Sequence, residues 1–242
     1  MGIHWLKLYL SYPVMAGFWG WDEDTVANKV KKVARLIQGL KTIKIVWGGF
    51  DDEFVWVITA DTVTFRVCEI RTDPHSKWFD PKSQGAGFKY EFAVATNDPP
   101  RLVWISGPVG ASEMGDLTMF CGGTQETPQA ERNKEALFFK LEKVGQKAIG
   151  DSIYGAKYAR DKVTVTRYCQ DKDMKKLFAR LKARQESIHA RFKNFHVLIQ
   201  PFRHGTDVEN KKKLHQTCVE AVCVLVQYDI ENDSEFMAPP RL

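Results

Sequence analysis

The chain has 242 residues, 44% of them hydrophobic, which suits one sizeable domain or one domain with an appendage. A net charge of +5, from 35 basic against 30 acidic residues, permits an anionic partner without demanding one. Five cysteines without a C-x-x-C pair argue against a disulfide framework or a structural zinc site and for a reducing compartment, and no apolar run approaches the 18 residues of a membrane span.

Residues 1–50 read as a short helical N-terminal segment. Lys7 and Pro13 interrupt its early apolar bias, so no signal peptide is expected. After a Trp-rich turn around Gly20, Asp22 or Asp24 caps a helix through Ile37, whose stripe is Val26, Val30, Val33, Leu36 and Ile37. Such a helix can be the reading element of a helix-turn-helix or can pack on a core. From Phe54 the period changes to that of strands: Phe54 to Ala60, Val63 to Ile70, Phe88 to Thr96 and Leu102 to Ile105, the last two joined by an Asn-Asp-Pro-Pro turn. Asp51, Asp52, Glu53 and Asp73 read as loop charges. Helices are expected over Ser112 to Cys121 and Glu135 to Lys143. A strand follows at Ala148-Ile149, an extended piece at Val163 to Tyr168, and helices over Lys172 to Phe195 and Asn210 to Asn232. The order predicts a mixed α/β sheet with helices on its faces.

Three acids share a chemical logic. Asp61 is expected at the end of the first apolar strand, Asp151 at the end of the Ala148-Ile149 strand, and Glu186 within the long basic helix. Neighbouring strands bring the two aspartates together, and a helix across that edge adds the glutamate. Carboxylates so gathered repel one another unless neutralised, and Mg²⁺ or Mn²⁺ favours such all-oxygen ligands. On a helical wheel Lys182, Glu186, His189 and Lys193 cluster within about 60°, away from the apolar stripe. That cluster reads either as a functional face or as a solvated Lys182–Glu186 pair contributing about 0.3–0.5 kcal/mol. Asp116 is a competing metal ligand, or an acid at a helix N-terminus.

The ordered segments Val57-Ile-Thr-Ala-Asp61, Gly85-Ala-Gly-Phe-Lys-Tyr90, Leu102 to Pro108, Gly115-Asp116-Leu-Thr-Met-Phe120, Ala148-Ile-Gly-Asp151-Ser-Ile-Tyr154-Gly and Arg184-Gln-Glu186-Ser-Ile-His189-Ala-Arg-Phe-Lys193 resemble the DDE superfamily endonuclease domain of Harbinger-type transposases, in a variant abundant in protist and algal genomes. The resemblance covers roughly residues 50–235. It implies a DDE domain over 51–235 with an RNase H-like mixed sheet flanked by helices, a tail over 236–242, and an N-terminal segment that is the remnant of a helix-turn-helix region. It further implies a two-metal DNA nuclease and transposase. Asp61, Asp151 and Glu186 would be its catalytic and metal-binding acids, Mg²⁺ or Mn²⁺ its two ions, DNA its substrate and the nucleus its site of action. Lys193 matches the basic residue that follows the glutamate in related transposases and would touch a DNA phosphate.

This chain departs from the family pattern at Thr62 (usually Gly), at Ile153 (usually Gly) and at His189 (commonly Asn). If the turn after Asp151 requires positive φ, Ile153 would displace that acid. DNA contact is expected from Lys182, Arg184, Arg191 and Lys193, with their basic neighbours on the same helix and the run Lys211 to Lys213, through phosphate contacts that depend on salt more than on sequence. The alternative to an active enzyme is a catalytically decayed or domesticated DNA-binding or interaction protein that retains the fold. Either would work without a membrane, as a homo-oligomer or with an accessory DNA-binding protein.

Overall fold

The computed structural model describes residues 1–51, 53–69 and 76–232. Asp52, Asp73 and the tail expected over 236–242 lie outside the described residues. The chain opens with helices α1 (Gly2–Leu8), α2 (Tyr12–Trp19), α3 (Glu23–Gly39) and the single turn α4 (Lys41–Lys44). Of the two candidate caps, Asp22 is the one used: its carboxylate accepts from the Thr25 N–H at 2.8 Å, satisfying one of the orphan donors of the first turn. Gly2 allows α1 to cross α3 closely, since a Cβ there would lie 2.4 Å from Val33 Cβ.

The sheet is built from β1 (Trp56–Arg66), β2 (Phe79–Asp80), β3 (Gly85–Ala95), β4 (Leu102–Gly110), β5 (Lys147–Gly150) and β6 (Val163–Val165). β3 pairs antiparallel with β1 on one side and with β2 and β4 on the other, whereas β5 joins β1 in parallel and β6 joins β5 in parallel. The architecture is therefore mixed α/β, with a curled mixed sheet flanked by helices. Between the strands lie α5 (Asp116–Cys121) and α6 (Leu137–Val144); after them come α7 (Lys172–Phe192), α8 (His196–Ile199) and α9 (Val208–Asn232).

The strands expected at Phe54 to Ala60 and Val63 to Ile70 merge into one, which ends at Arg66; Ile70 lies outside the described residues. β1 runs unbroken through Asp61, paired residue by residue with β3 from Ile58↔Ala95 to Arg66↔Gly87. The reason is local: Thr62-Val-Thr-Phe continues the β-branched and aromatic preference, and a half-buried acid at one pleat position does not interrupt a ladder made by backbone groups. What stops near Asp61 is the parallel neighbour, since β5 ends at Gly150. The helix expected from Ser112 begins only at Asp116, and the long basic helix ends at Phe192, with Phe195 opening α8 instead.

α3 and α9 pack together on the sheet face opposite α5 and α6. Val26 and Val30 of α3, Val219, Val222 and Val226 of α9, Phe65 of β1, Phe88 and Phe92 of β3 and Phe192 of α7 form one buried cluster. Each such side chain contributes about 1.5–3 kcal/mol when fully buried. The other face is closed by Phe120, Leu137 and Leu141 against Val57, Ala60 and Ala93. Among the described residues no helix is long and apolar enough to cross a membrane, and all five thiols are free.

Candidate active site

The pairing of β1 with β5 decides where the first two acids meet. Thr59 is the register partner of Ile149, so the positions two residues further on, Asp61 and Asp151, lie level at the end of the parallel pair. Each carboxylate has one oxygen tied to its own backbone: the Thr62 N–H donates to Asp61 Oδ1 at 2.8 Å, and the Ile153 N–H donates to Asp151 Oδ1 at 3.0 Å. Asp151 thereby caps the short 3₁₀ turn Ser152–Tyr154. Ile153 needs no left-handed backbone, because among the described residues only Tyr9 and Gln84 combine a side chain with positive φ. The displacement of Asp151 that its side chain would otherwise force does not arise.

Gly150 carries the close approach here. A Cβ at this position would lie 2.9 Å from Val163 Cγ1 and 3.0 Å from the Tyr154 ring. The glycine thus lets Tyr154 fold back beneath the strand end and bury itself against Phe120, ring centroids 5.5 Å apart.

Electrostatics marks the same neighbourhood. Burial raises the Asp61 carboxyl to about 6; the Thr62 hydrogen bond and the Lys182 charge lower it, while Asp151 and Asp116 raise it further. The side chain is 42% exposed, so solvent screens part of this. The Tyr154 phenol is held well above its ordinary range by burial, and the charges of Glu91, Asp61, Asp116 and Asp151 all push the same way. Among the described residues its hydroxyl has no hydrogen-bond partner. The charges of four acids thus act through space on one buried phenol.

Asp116, the first residue of α5, pairs with Lys89 of β3 at 2.8 Å. Glu186 lies on α7 between two residues that act on Asp61: Lys182, one turn before it, lowers the Asp61 carboxyl, and His189, one turn after it, brings Nδ1 to 3.7 Å from Asp61 Oδ2. Glu186 itself is exposed and makes no hydrogen bond or ion pair among the described residues. Burial, aided by the Lys193 charge, lowers His189 to about 4, so the imidazole is neutral near pH 7. Among the described residues no three His, Cys, Asp or Glu side chains are gathered closely enough to hold a metal ion as they stand.

The basic residues separate into two groups. Lys182, and Lys193 at the C-cap, lie on the same face of α7 as His189, and among the described residues Arg184 reaches only the Asn97 carbonyl, at 3.5 Å. Arg191 is buried and its guanidinium is engaged by Asp229 of α9. Lys211 is buried as well, its ammonium 3.4 Å from the Phe202 carbonyl, and burial lowers its pKa. The first lysine of the Lys211 to Lys213 run therefore serves the core and is not exposed as expected.

Glu91 is an acid that no sequence motif singles out. It sits on β3 opposite Thr62 and Ser106, is 1% exposed, and among the described residues has neither carboxylate oxygen hydrogen-bonded. Burial raises it to about 8; the Trp104 indole lies near enough to lower it in part, without a hydrogen bond of good geometry. A signal existed, since the pleat face that carries Glu91 continues as Ala93 and Ala95, which is an inward face. No family model matches the chain, and comparison with curated proteins and with solved structures likewise gives no match.

Proposed function

We propose that this chain is a transposase-derived DNA endonuclease of the DDE type, with an RNase H-like sheet, that cleaves and transfers phosphodiester bonds with the help of divalent metal ions. The observation that carries the reading is the level placement of Asp61 and Asp151 on parallel neighbours, in a field where Asp151 and Asp116 both raise the Asp61 carboxyl. Mutual repulsion of this kind is relieved by a hard cation, and all-oxygen donors suit Mg²⁺ or Mn²⁺. Asp61 and Asp151 would hold the ions, with Glu186 as the helical third acid and Asp116 beside them. Bound there, the two ions supply an activated water or 3′-hydroxyl and stabilise the leaving oxygen.

The chain's own residues prepare that site. Thr62 and Ile153 fix one oxygen of each aspartate through backbone N–H groups and leave the other oxygen to a ligand. His189, neutral, crowds Asp61 without adding charge, and Lys182 offsets part of the negative field. Lys182 and Lys193 would meet phosphates along α7, and action on DNA would place the protein in the nucleus, as a homo-oligomer or beside an accessory DNA-binding protein.

The test is nicking of supercoiled plasmid with Mg²⁺ or Mn²⁺. Asp151→Asn is expected to lower the rate about 100-fold or more; an unchanged rate overturns the reading. A second reading, a DNA-binding protein without catalysis, is favoured by the Lys89–Asp116 pair, which already neutralises one acid of the cluster. It predicts salt-dependent DNA binding that survives Asp61→Asn, with no cleavage under Mn²⁺.

A further inference from the structure

Two rows of side chains lead away from Asp61 on the α7 face. On β1, Asp61, Val63 and Phe65 alternate onto one face, about 13 Å from first to last at about 3.3 Å per residue. On α7, His189 and Lys193 follow Glu186 at helical spacing. The rows converge on a cleft of about 280 Å³, with Phe65 and Leu198 among its apolar walls and Arg66, Ser83, His189 and Lys193 among its polar ones.

Four polar groups of this cleft stand unused among the described residues. The Arg66 guanidinium and the Lys193 ammonium make no hydrogen bond or ion pair among the described residues. Ser83 Oγ and His189 Nε2 are buried and likewise have no partner. Ser83 is nonetheless set in place: Asp80 accepts from the Lys82 N–H at 3.3 Å and from the Ser83 N–H at 3.2 Å, and Gln84 turns the chain at φ 51 into β3. Buried polar groups without partners are uncommon in folded proteins and call for an occupant. Two unpaired cations and a hydroxyl donor above an apolar wall fit an anion attached to an apolar body, which describes a nucleotide.

We propose that this cleft seats one nucleotide of the bound DNA strand, flanking the bond to be cleaved. Its phosphate lies on Arg66 and Lys193 with Ser83 Oγ–H as a further donor, and its sugar lies against Phe65 and Leu198. The proposal rests on the nuclease reading for the identity of the strand, and it names Arg66 and Ser83, from outside the acidic motifs, as residues that position that strand.

The experiment measures binding of a labelled single-stranded oligonucleotide to the full chain, without divalent metal, across a salt series. Arg66→Gln is expected to weaken binding about 5- to 10-fold and to reduce the salt slope by about 1. Ser83→Ala is expected to weaken it about 3-fold with the slope unchanged, as for a neutral donor. Arg66 is exposed, so its replacement leaves the fold intact, which circular dichroism checks. Unchanged affinity and slope in Arg66→Gln overturn the proposal. A parallel titration with thymidine 3′,5′-bisphosphate, followed by amide resonances of Ser83 and His189, separates this proposal from the nuclease reading. Shifts in wild type that vanish in Arg66→Gln support the cleft even if Asp151→Asn leaves nicking unchanged. No shift at either residue overturns the cleft even if nicking depends on Asp151.

Discussion

Asp61 and Glu91 occupy adjacent positions on paired strands and yet live in different media. The register sets Asp61 opposite Phe92 and Glu91 opposite Thr62, so the pleat sends the two acids to opposite faces of the sheet. Asp61 faces α7, remains 42% exposed, has a backbone N–H on one oxygen, and has Lys182 and His189 as neighbours. Glu91 faces α5 and α6, is 1% exposed, and has no hydrogen bond to either oxygen. Burial raises both, Asp61 to about 6 and Glu91 to about 8. One acid is therefore ionised near pH 7 and available to a cation, and the other keeps its proton. A single residue of strand register separates an ionised carboxylate from a neutral one.

The sharpest way to break this contrast is to remove the charge on the open face. Asp61→Asn is expected to abolish metal-dependent nicking by about 100-fold or more while leaving the protein folded, because the amide relieves the repulsion from Asp151 and Asp116. Plasmid nicking with a circular-dichroism control measures both halves.

Glu91 gives the opposite signature, one of stability without a direct contact to substrate. Its folded pKa is raised, so the folded state holds a proton that the unfolded chain releases. The resulting stabilisation is full below the unfolded value of 4.5 and is lost as the pH rises towards about 8. Within that window stability is expected to fall by about 1.4 kcal/mol per pH unit from this group alone. Glu91→Gln is expected to flatten the slope and to be the more stable variant above pH 8, as urea denaturation at several pH values would show. A slope unchanged by the substitution would mean that Glu91 is not the buried acid described here.

Between these two acids lies the glycine that shapes the strand end. Gly150→Ala is expected to cost about 1–3 kcal/mol, because the methyl group would press on Val163 and on the Tyr154 ring; thermal melting measures it. The smallest effect is expected at Arg191. Arg191→Ala loses the ion pair with Asp229, which is 63% exposed, for about 1 kcal/mol, together with the packing of the arginine stem. Its DNA affinity should match wild type, whereas Lys182→Ala should bind more weakly at low salt, a difference that a filter-binding titration resolves.

Much of the scaffold could be read in advance because its signals are local. Asp22 before the helix that buries Val26 and Val30, the β-rich run that starts at Phe88, and the Ala148-Ile149 strand that ends in Gly150 each specify structure within a few residues, whereas Leu36 of the expected stripe is exposed. Asp61 was misjudged as a strand end because an acid in an apolar run looks like a boundary, while its partner strand β3 lies some thirty positions away and is invisible to any window. Arg191 and Lys211 read as solvent-facing cations because a helical wheel shows which residues share a face but not what packs on it. α9 covers the one and the Phe202 carbonyl receives the other. Glu91 escaped notice for the same reason in reverse, since charge argued for outside and the Ala93 and Ala95 face argued for inside. For Glu186 the wheel gave the shared face with Lys182 and His189, but convergence with the aspartates depends on side-chain placement that spacing alone does not contain.

The contact between the ends of the described chain bears on how the protein is made. Glu220 of α9 accepts from Gln38 at the end of α3 and from Lys41 of α4, each at 2.7 Å, the first pair separated by 182 positions in sequence. At roughly 5–20 residues per second, a ribosome needs roughly 10–40 s to pass from one partner to the other. For that interval Val26 and Val30 of α3, and the aromatic face of β3, have no α9 to cover them. Until α9 emerges that apolar face is incompletely covered, so the α3–α9 contact, with its long sequence separation, forms late in folding.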